Sequence, residues 1–377
     1  MPWKVRPVSE LRIAFVHTVT TLGRPVAAAC RDYGISRTTA YKWLRRHRDR
    51  PEEPLADRSR RPARSPGRTD PELEARILEV RDRYGWGPRK VRAYLADRGV
   101  ELPSIRTVGA VLRRHGRTAP PTVEPVPIQR FERGAANQLW QCDFKGYLEV
   151  ERRRTWPFAL LDDHSRYLLA LRPCADQAMA TAWAILWEVF GEVGLPEALL
   201  CDGAFAARGP GMTGLSWFES RLIRSGIRPI HGRPYHPQTQ GKVERLNGTL
   251  EAELWPRVRR DAAGPFAADL EAWRTGVYNA VRPHEALGDR PPLTRWRPSE
   301  RPRPAELPPV EYAADAVLRK VSTSGDVRWR GYRLLAGRGI VGEYVRIEDR
   351  GHEVAVYYAD HRIRCVAAEL LRPGVML

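Results

Sequence analysis

The chain lacks long apolar runs, paired cysteines and, almost entirely, lysine. No stretch of its 377 residues is apolar for the length of a membrane span, and nothing near Met1 has the apolar segment of a secretory leader. A cytoplasmic protein with no membrane partner is therefore expected. Its five cysteines (Cys30, Cys142, Cys174, Cys201 and Cys365) stand singly, with no C-x-x-C. That spacing points to buried thiols and argues against a disulfide framework or a cysteine-based zinc module. The absence of G-x-x-x-x-G-K-[ST] argues against ATP use by this chain. Other patterns imitate chemistry but fail in context. Gly337-Arg338-Gly339-Ile340-Val341-Gly342 fits G-x-G-x-x-G, yet it lies between two strand-like runs with no helix after it. Asn247-Gly248-Thr249 is a glycosylation sequon without a secretory signal. His361-x-x-Arg364 has no tyrosine after it to act as a nucleophile.

What the chain does have is arginine, 57 against 6 lysines, within a formal net charge of +18. Residues 1–120 hold 27 Lys plus Arg against 13 Asp plus Glu. A polyanion is the natural partner of such a segment, because each neutralised phosphate releases counterions. The arginine fork suits phosphates and guanine edges, although a GC-rich genome would produce the same bias.

The basic third reads as helix-turn-helix. Residues 9–48 predict three short helices, with Leu11, Phe15 and Leu22 as the apolar stripe of the first and residues 26–33 as the second. Gly34-Ile35 makes the turn, Ser36 is an N-cap, and residues 37–48 form the third helix. In this motif the last helix enters the major groove N-terminus first. Arg37, Thr38, Thr39 and Lys42 are then expected to face DNA, with Tyr41 and Leu44 packed inward. A small structural helical bundle is the competing reading. Residues 49–68, rich in proline and arginine, predict a linker that forms no core. Residues 69–118 repeat the helical pattern, with Ser104 capping a last helix that carries Arg106 as a candidate DNA contact. A proline-rich connector at 119–130 leads to the next domain.

Over 131–300 the pattern changes to mixed strand and helix. Gln141, Asp143 and Lys145 alternate with Trp140, Cys142 and Phe144, as a half-exposed strand requires. Strand-like runs follow at 155–162 and 166–173, then a helix at 177–190, a strand ending at Asp202, a helix at 216–225 and a short strand at 227–230. A further helix repeats Val243, Leu246, Leu250 and Leu254 on one face, with Glu244 at its edge and Glu251 and Glu253 read as ordinary solvent-facing glutamates. Asp143, Asp202 and Glu244 thus sit on two strands and a helix. Carboxylates far apart in sequence but able to converge are what two hard, octahedral magnesium ions need.

These residues resemble the integrase core of the DDE transposases and retroviral integrases. The resemblance is carried by the Asp143 strand, by D-D-x-S-R at 162–166, by H-P-Q-T-x-G-K-x-E-R at 236–245 and by Y-N-x-x-R-P-H at 278–284. It implies a multidomain α+β protein: N-terminal helix-turn-helix modules at 1–48 and 69–118, a ribonuclease-H-like α/β core with a mixed sheet at 131–300, and a small SH3-like β-barrel at 310–377. It further implies a transposase of bacterial insertion-sequence type, nucleoid-associated, acting on transposon-end and target DNA as a homo-oligomer. Asp143, Asp202 and Glu244 would be both catalytic residues and ligands to two Mg2+ ions, for which Mn2+ would substitute. Lys242 and Arg245 beside Glu244, and Arg328 and Arg330 in the C-terminal domain, would contact DNA. Asp162 and Asp163 are the rival ligands. Two departures stand out: 41 residues separate Asp202 from Glu244, with an insertion at 208–214, and the usual Asp-Asn-Gly reads Asp202-Gly203-Ala204. In the C-terminal strands, alternation predicts Arg328, Arg330 and Tyr332 on one face and Trp329 and Gly331 on the other. A domesticated non-cleaving DNA-binding protein and a hydrolytic nuclease on the same fold are the alternative functions; a helper ATPase stays open.

Overall fold

The computed structural model describes residues 7–57, 68–118, 132–150, 152–202, 205–206, 214–231, 241–258 and 266–371. The connector at 119–130, most of the insertion at 208–214, Gly203 and Ala204, and the H-P-Q-T-Q part of the Glu244 motif lie outside these residues. The chain divides into two compact units, Met1–Arg68 and Thr69–Leu377.

The first unit is a three-helix module: α1 (Val8–Thr20), α2 (Val26–Asp32) and α3 (Arg37–Asp49). Ser36 caps α3 as expected, its hydroxyl oxygen accepting the Thr39 N–H at 3.2 Å. The core differs from the predicted stripe. Phe15 and Val16 are buried with Ala29, Cys30, Ala40 and Trp43, whereas Leu11 and Leu22 are exposed. On α3 the inward residue is Trp43, not Tyr41, which is 56% exposed; Leu44 is half-buried against the same core. Trp43 is the larger apolar surface, and Arg12 lies over its ring at 4.1 Å. The start of the predicted linker also belongs to this core: Leu55 is buried, held by Arg12 donating to its carbonyl at 3.1 Å and pairing with Asp57.

The second unit begins with α4 (Pro71–Tyr84), α5 (Pro88–Ala96) and α6 (Ile105–Arg114), built around Ile77, Val80, Trp86, Val91, Val108 and Leu112. Asp70 and Ser104 cap α4 and α6. Gly85 ends α4 at φ 73°, the left-handed conformation that lets a helix turn sharply into Trp86.

The strands are β1 (Trp140–Phe144), β2 (Leu148–Val150), β3 (Arg153–Asp162), β4 (Leu168–Cys174), β5 (Ala198–Cys201) and β6 (Arg228–His231). They alternate with α7 (Met179–Val193), α8 (Trp217–Arg224) and α9 (Gly241–Thr249). β1 pairs antiparallel with β3 and parallel with β5, while β4 pairs with β3 and β6 runs parallel to β5. The mixed sheet was expected; β2, which forms a hairpin with the start of β3, was not. Three residues are too few for alternation to register. Trp140, Cys142, Phe158 and Leu160 face a core with α7 and α8. On the other face, Ala159 and Leu161 pack with Val243, Leu246, Leu250 and Leu254 of α9 and its π-helical continuation Leu250–Leu254.

The C-terminal residues form β7 (Leu318–Lys320), β8 (Asp326–Trp329), β9 (Tyr332–Leu335), β10 (Tyr344–Asp349), β11 (Glu353–Tyr358) and β12 (His361–Ala367). The expected closed barrel is not what forms among the described residues. A four-stranded sheet, β12-β11-β10-β7, and a separate β8–β9 hairpin share one apolar core. Ala336, just beyond β9, donates its N–H to the Gly325 carbonyl at 2.8 Å and accepts from Leu215 N–H of the preceding domain at 2.9 Å. The run 326–335 is a hairpin, not a single strand. Arg330 and Gly331, with φ of 46° and 85°, make its turn, so the predicted alternation across Arg328, Arg330 and Tyr332 does not hold.

Candidate active site

β1 and β5 pair in parallel, and Cys142 and Cys201 meet beside that pairing, buried, with sulfurs 3.2 Å apart. Each cysteine immediately precedes an acid, so the pairing brings Asp143 and the strand-end Asp202 to neighbouring positions. Of the five cysteines expected to be buried, Cys365 alone is exposed, its thiol donating to Glu353 at 2.9 Å.

Period-2 geometry turns Asp143 away from the α7–α8 core and toward α9. There the Asn247 amide donates to Asp143 Oδ2 at 3.4 Å, one helical turn from Glu244. Burial raises the Asp143 carboxyl to about 6; the Asn247 amide pulls it back, and the charges of Asp202 and Glu244 add to the rise. Asp143 therefore lies within electrostatic reach of both Asp202 and Glu244. Asp202 and Glu244 are exposed, and among the described residues no three His, Cys, Asp or Glu side chains are grouped so as to hold a metal ion. The donor chemistry nevertheless suits a hard cation. Crowded carboxylates favour one, and Asn247 Oδ1 is buried beside Asp143 with no hydrogen-bond partner among the described residues.

Asp162 and Asp163 are fully buried, with both carboxylates occupied by the protein. Asp162 accepts from Asn137 N–H at 2.8 Å, Ser165 N–H at 2.7 Å and Ser165 Oγ at 2.6 Å, which fixes the turn between β3 and β4. Asp163 accepts from Arg133 N–H at 2.8 Å and Gln141 Nε2 at 2.7 Å, and pairs with Lys242. Gln141 lies two residues before Asp143 and Lys242 two before Glu244, so Asp163 ties together the two elements that carry these acids. Lys242, expected to contact DNA, is half-buried and ion-paired in this placement.

Glu253, read as solvent-facing, is the largest departure. It is buried and accepts from Trp86 Nε1 at 3.0 Å, from Lys90 at 2.8 Å and from Arg282 in a two-point pair at 2.9 Å. Burial pushes its carboxyl up, but Arg282 and Lys90 outweigh this and hold it below the usual glutamate range. Lys90 is itself held low, by burial and then by Arg282, despite its pairing with Glu253. The Y-N-x-x-R-P-H motif at 278–284 is thereby explained. Arg282 grips Glu253, Asn279 exchanges two 2.9 Å hydrogen bonds with the backbone of Leu168, and Tyr278 fills the α9 core. Glu251 is exposed as expected and pairs with Lys145 at 2.8 Å.

The candidate DNA contacts fall in different settings. On α3, Arg37, Thr38 and Lys42 are exposed and Thr39 is half-buried at the cap. Arg106 on α6 and Arg245 on α9 are exposed. Arg328 is exposed, while Arg330 pairs with Asp349 at 2.8 Å.

Comparison with known proteins matches residues 133–237 and 225–292 to integrase core domain families, and residues 6–55 and 39–112 to homeodomain-like domain families. The Gag-Pro-Pol polyprotein of squirrel monkey retrovirus is 27% identical over 145 residues, which are 38% of this chain and 7% of that polyprotein. That of Mason-Pfizer monkey virus is 30% identical over 118 residues, 31% of this chain and 6% of the polyprotein. The matches thus span less than a tenth of those relatives' length. Among solved structures, a chain of the simian T-cell lymphotropic virus intasome in complex with PP2A regulatory subunit B56 gamma aligns with a TM-score of 0.41 at 16% identity, covering 79% of this chain and 98% of that one. The HTLV-2 integrase catalytic core domain in complex with magnesium aligns with a TM-score of 0.35 at 13% identity, covering 43% of this chain and 97% of that one. Among the described residues no helix is long and apolar enough to cross a membrane. Over residues 133–292 the chain is thus similar to integrase core domains, and the residues before them are similar to homeodomain-like domains.

Proposed function

We propose that this protein is a DNA transposase of bacterial insertion-sequence type. It binds transposon-end DNA, frees 3′-hydroxyl ends and joins them to target DNA by phosphoryl transfer, working as a homo-oligomer on DNA. The observation that carries this reading is the placement of β1, which bears Asp143, beside β5, which leads into Asp202, and against α9, which bears Glu244 and whose Asn247 donates to Asp143, within sequence that matches integrase core domains. Asp143, Asp202 and Glu244 would hold magnesium, two ions per site, with manganese as a substitute. When bound, such ions supply Lewis acidity at the scissile phosphate and neutralise the charge that builds there. The chain's own residues do the positioning. Asn247 orients Asp143, Asp163 locks the strand of Asp143 to the helix of Glu244, and the exposed face of α3 reads the DNA end.

The test is a gel assay on end DNA, identified by its inverted repeats beside the coding region, that separates hydrolysed ends from joined products. Asp143→Asn, Asp202→Asn and Glu244→Gln are each expected to abolish cleavage and joining and leave end binding nearly intact. Wild-type activity in Glu244→Gln would overturn the third ligand. Hydrolysed ends without joining would mark a nuclease, and binding without either reaction a domesticated DNA-binding protein.

A further inference from the structure

The G-x-G-x-x-G run at 337–342 lies where the C-terminal domain meets the segment that follows Asp202. Two backbones touch there with no side chain between them. Leu215 N–H donates to the Ala336 carbonyl at 2.9 Å, and Gly339 N–H donates to the Leu215 carbonyl at 3.0 Å. Gly337 holds φ at 123°, and a Cβ on it would overlap the backbone N and O of Leu215. A Cβ on Gly339 would overlap the carbonyl carbon of Ser216 and the nitrogen of Trp217. Glycine is required at this crossing because only glycine lets main chains approach so closely.

The contact leads back to the active site. Leu215, 3% exposed, packs in the C-terminal core with Val327, Leu334 and Ile340. Its neighbour Ser216 belongs to the catalytic domain, closing a capping box with Glu219 at the start of α8. The Ser216 hydroxyl donates to the Phe205 carbonyl at 2.7 Å, and Phe205 N–H donates to the Asp202 carbonyl at 3.1 Å. The Phe205 ring stacks 6.0 Å from Phe144, the residue after Asp143. A continuous path of hydrogen bonds and packing therefore joins Gly339 to Asp202.

We propose that the Gly337-x-Gly339 turn positions Asp202 in cis, so that the C-terminal domain sets where this strand-end carboxylate stands relative to Asp143. The inference rests on the reading of Asp202 as a metal-holding acid. Gly339→Ala in the full-length protein adds one methyl at the crossing. Val356→Ala, fully buried in the same domain's core, controls for simple loosening of that domain. In Gly339→Ala the Leu215 amide is expected to lose hydrogen-exchange protection by roughly tenfold or more, while Val354 and Val356 in β11 keep theirs. Single-turnover cleavage is expected to fall about a hundredfold, with the half-saturating magnesium concentration raised and end-DNA affinity unchanged. Val356→Ala should show neither the exchange change nor the magnesium shift. If Gly339→Ala does not yield folded protein, Ser216→Ala, which keeps the crossing but removes the hydroxyl bond to Phe205, is expected to show the same magnesium shift with the Leu215 amide still protected, and a wild-type magnesium dependence there overturns the proposal. A protected Leu215 amide with wild-type magnesium dependence in Gly339→Ala overturns the proposal, as does an equal magnesium shift in Val356→Ala. Loss of activity in Asp202→Asn beside a wild-type Gly339→Ala sinks the seam alone. A fully active Asp202→Asn sinks the active-site reading and the positioning of Asp202 with it.

Discussion

Asp163 is fully buried and charged, and its ion pair with Lys242 is one of three donations it accepts from elements that flank the site. Breaking a buried pair by removing one charge leaves the other uncompensated, at a cost of about 3 kcal/mol. Asp163→Asn should therefore lower stability by about that much in chemical denaturation, and Asp163→Asn combined with Lys242→Met should recover part of the loss. A loss below about 1 kcal/mol would mean that the pair is solvated. The sequence placed Asp163 at a strand end as a rival metal ligand. Its true role depends on Gln141 and Lys242, which lie 22 and 79 residues away. The α3 face offers a second test at this scale. Tyr41→Ala is expected to leave stability within about 0.5 kcal/mol and to weaken end binding in gel shift. Trp43→Ala should destabilise the first unit by about 3–5 kcal/mol. Unaltered end affinity in Tyr41→Ala would remove that ring from the DNA face.

Among elements, the helix of Glu244 matters most, because its extension anchors α5 to the integrase-like domain through Glu253, Lys90 and Arg282. The sign of the pH dependence follows from the carboxyl being held low. Its stabilisation is present above the ordinary glutamate value of 4.5 and is lost as pH falls through the lower folded value. Wild-type stability, followed by denaturant titration from neutral pH to about 3, should fall on the acid side. Glu253→Gln should begin less stable at neutral pH and fall less steeply. Parallel curves would assign the acid transition to other carboxylates. Helical periodicity correctly put Val243, Leu246, Leu250 and Leu254 on one face. It could not anticipate the burial of Glu253, because the groups that compensate its charge arrive from α5 and from residue 282.

For the whole molecule, the concentration of positive charge in the first third predicts that the proposed end binding is salt-dependent. The fragment 1–118 is expected to prefer end DNA over random duplex, with affinity falling steeply as salt rises. Lys42→Ala should reduce the log–log salt slope by about 1 if that side chain meets a phosphate. A fragment without sequence preference would place end recognition elsewhere. Removal of residues 310–377 is expected to lower the melting temperature of the integrase-like domain, because Leu215 and Ile223 lose their apolar cover. An unchanged melting temperature would show that the seam contributes nothing to the core.

The sequence by itself determined the local elements and the identity of the chemistry-bearing residues. Caps at Ser36, Asp70 and Ser104, the alternation through Asp143 and the apolar face beside Glu244 each depend on neighbours within a few residues. Tertiary structure decided which acids are consumed internally, which α3 aromatic is core, and that Leu215 of the preceding domain joins the core of the C-terminal strands. These outcomes depend on long-range partners. A buried charge is tolerated only where opposite charge is delivered to it, and glycine at 337 and 339 has meaning only once a second backbone lies against it.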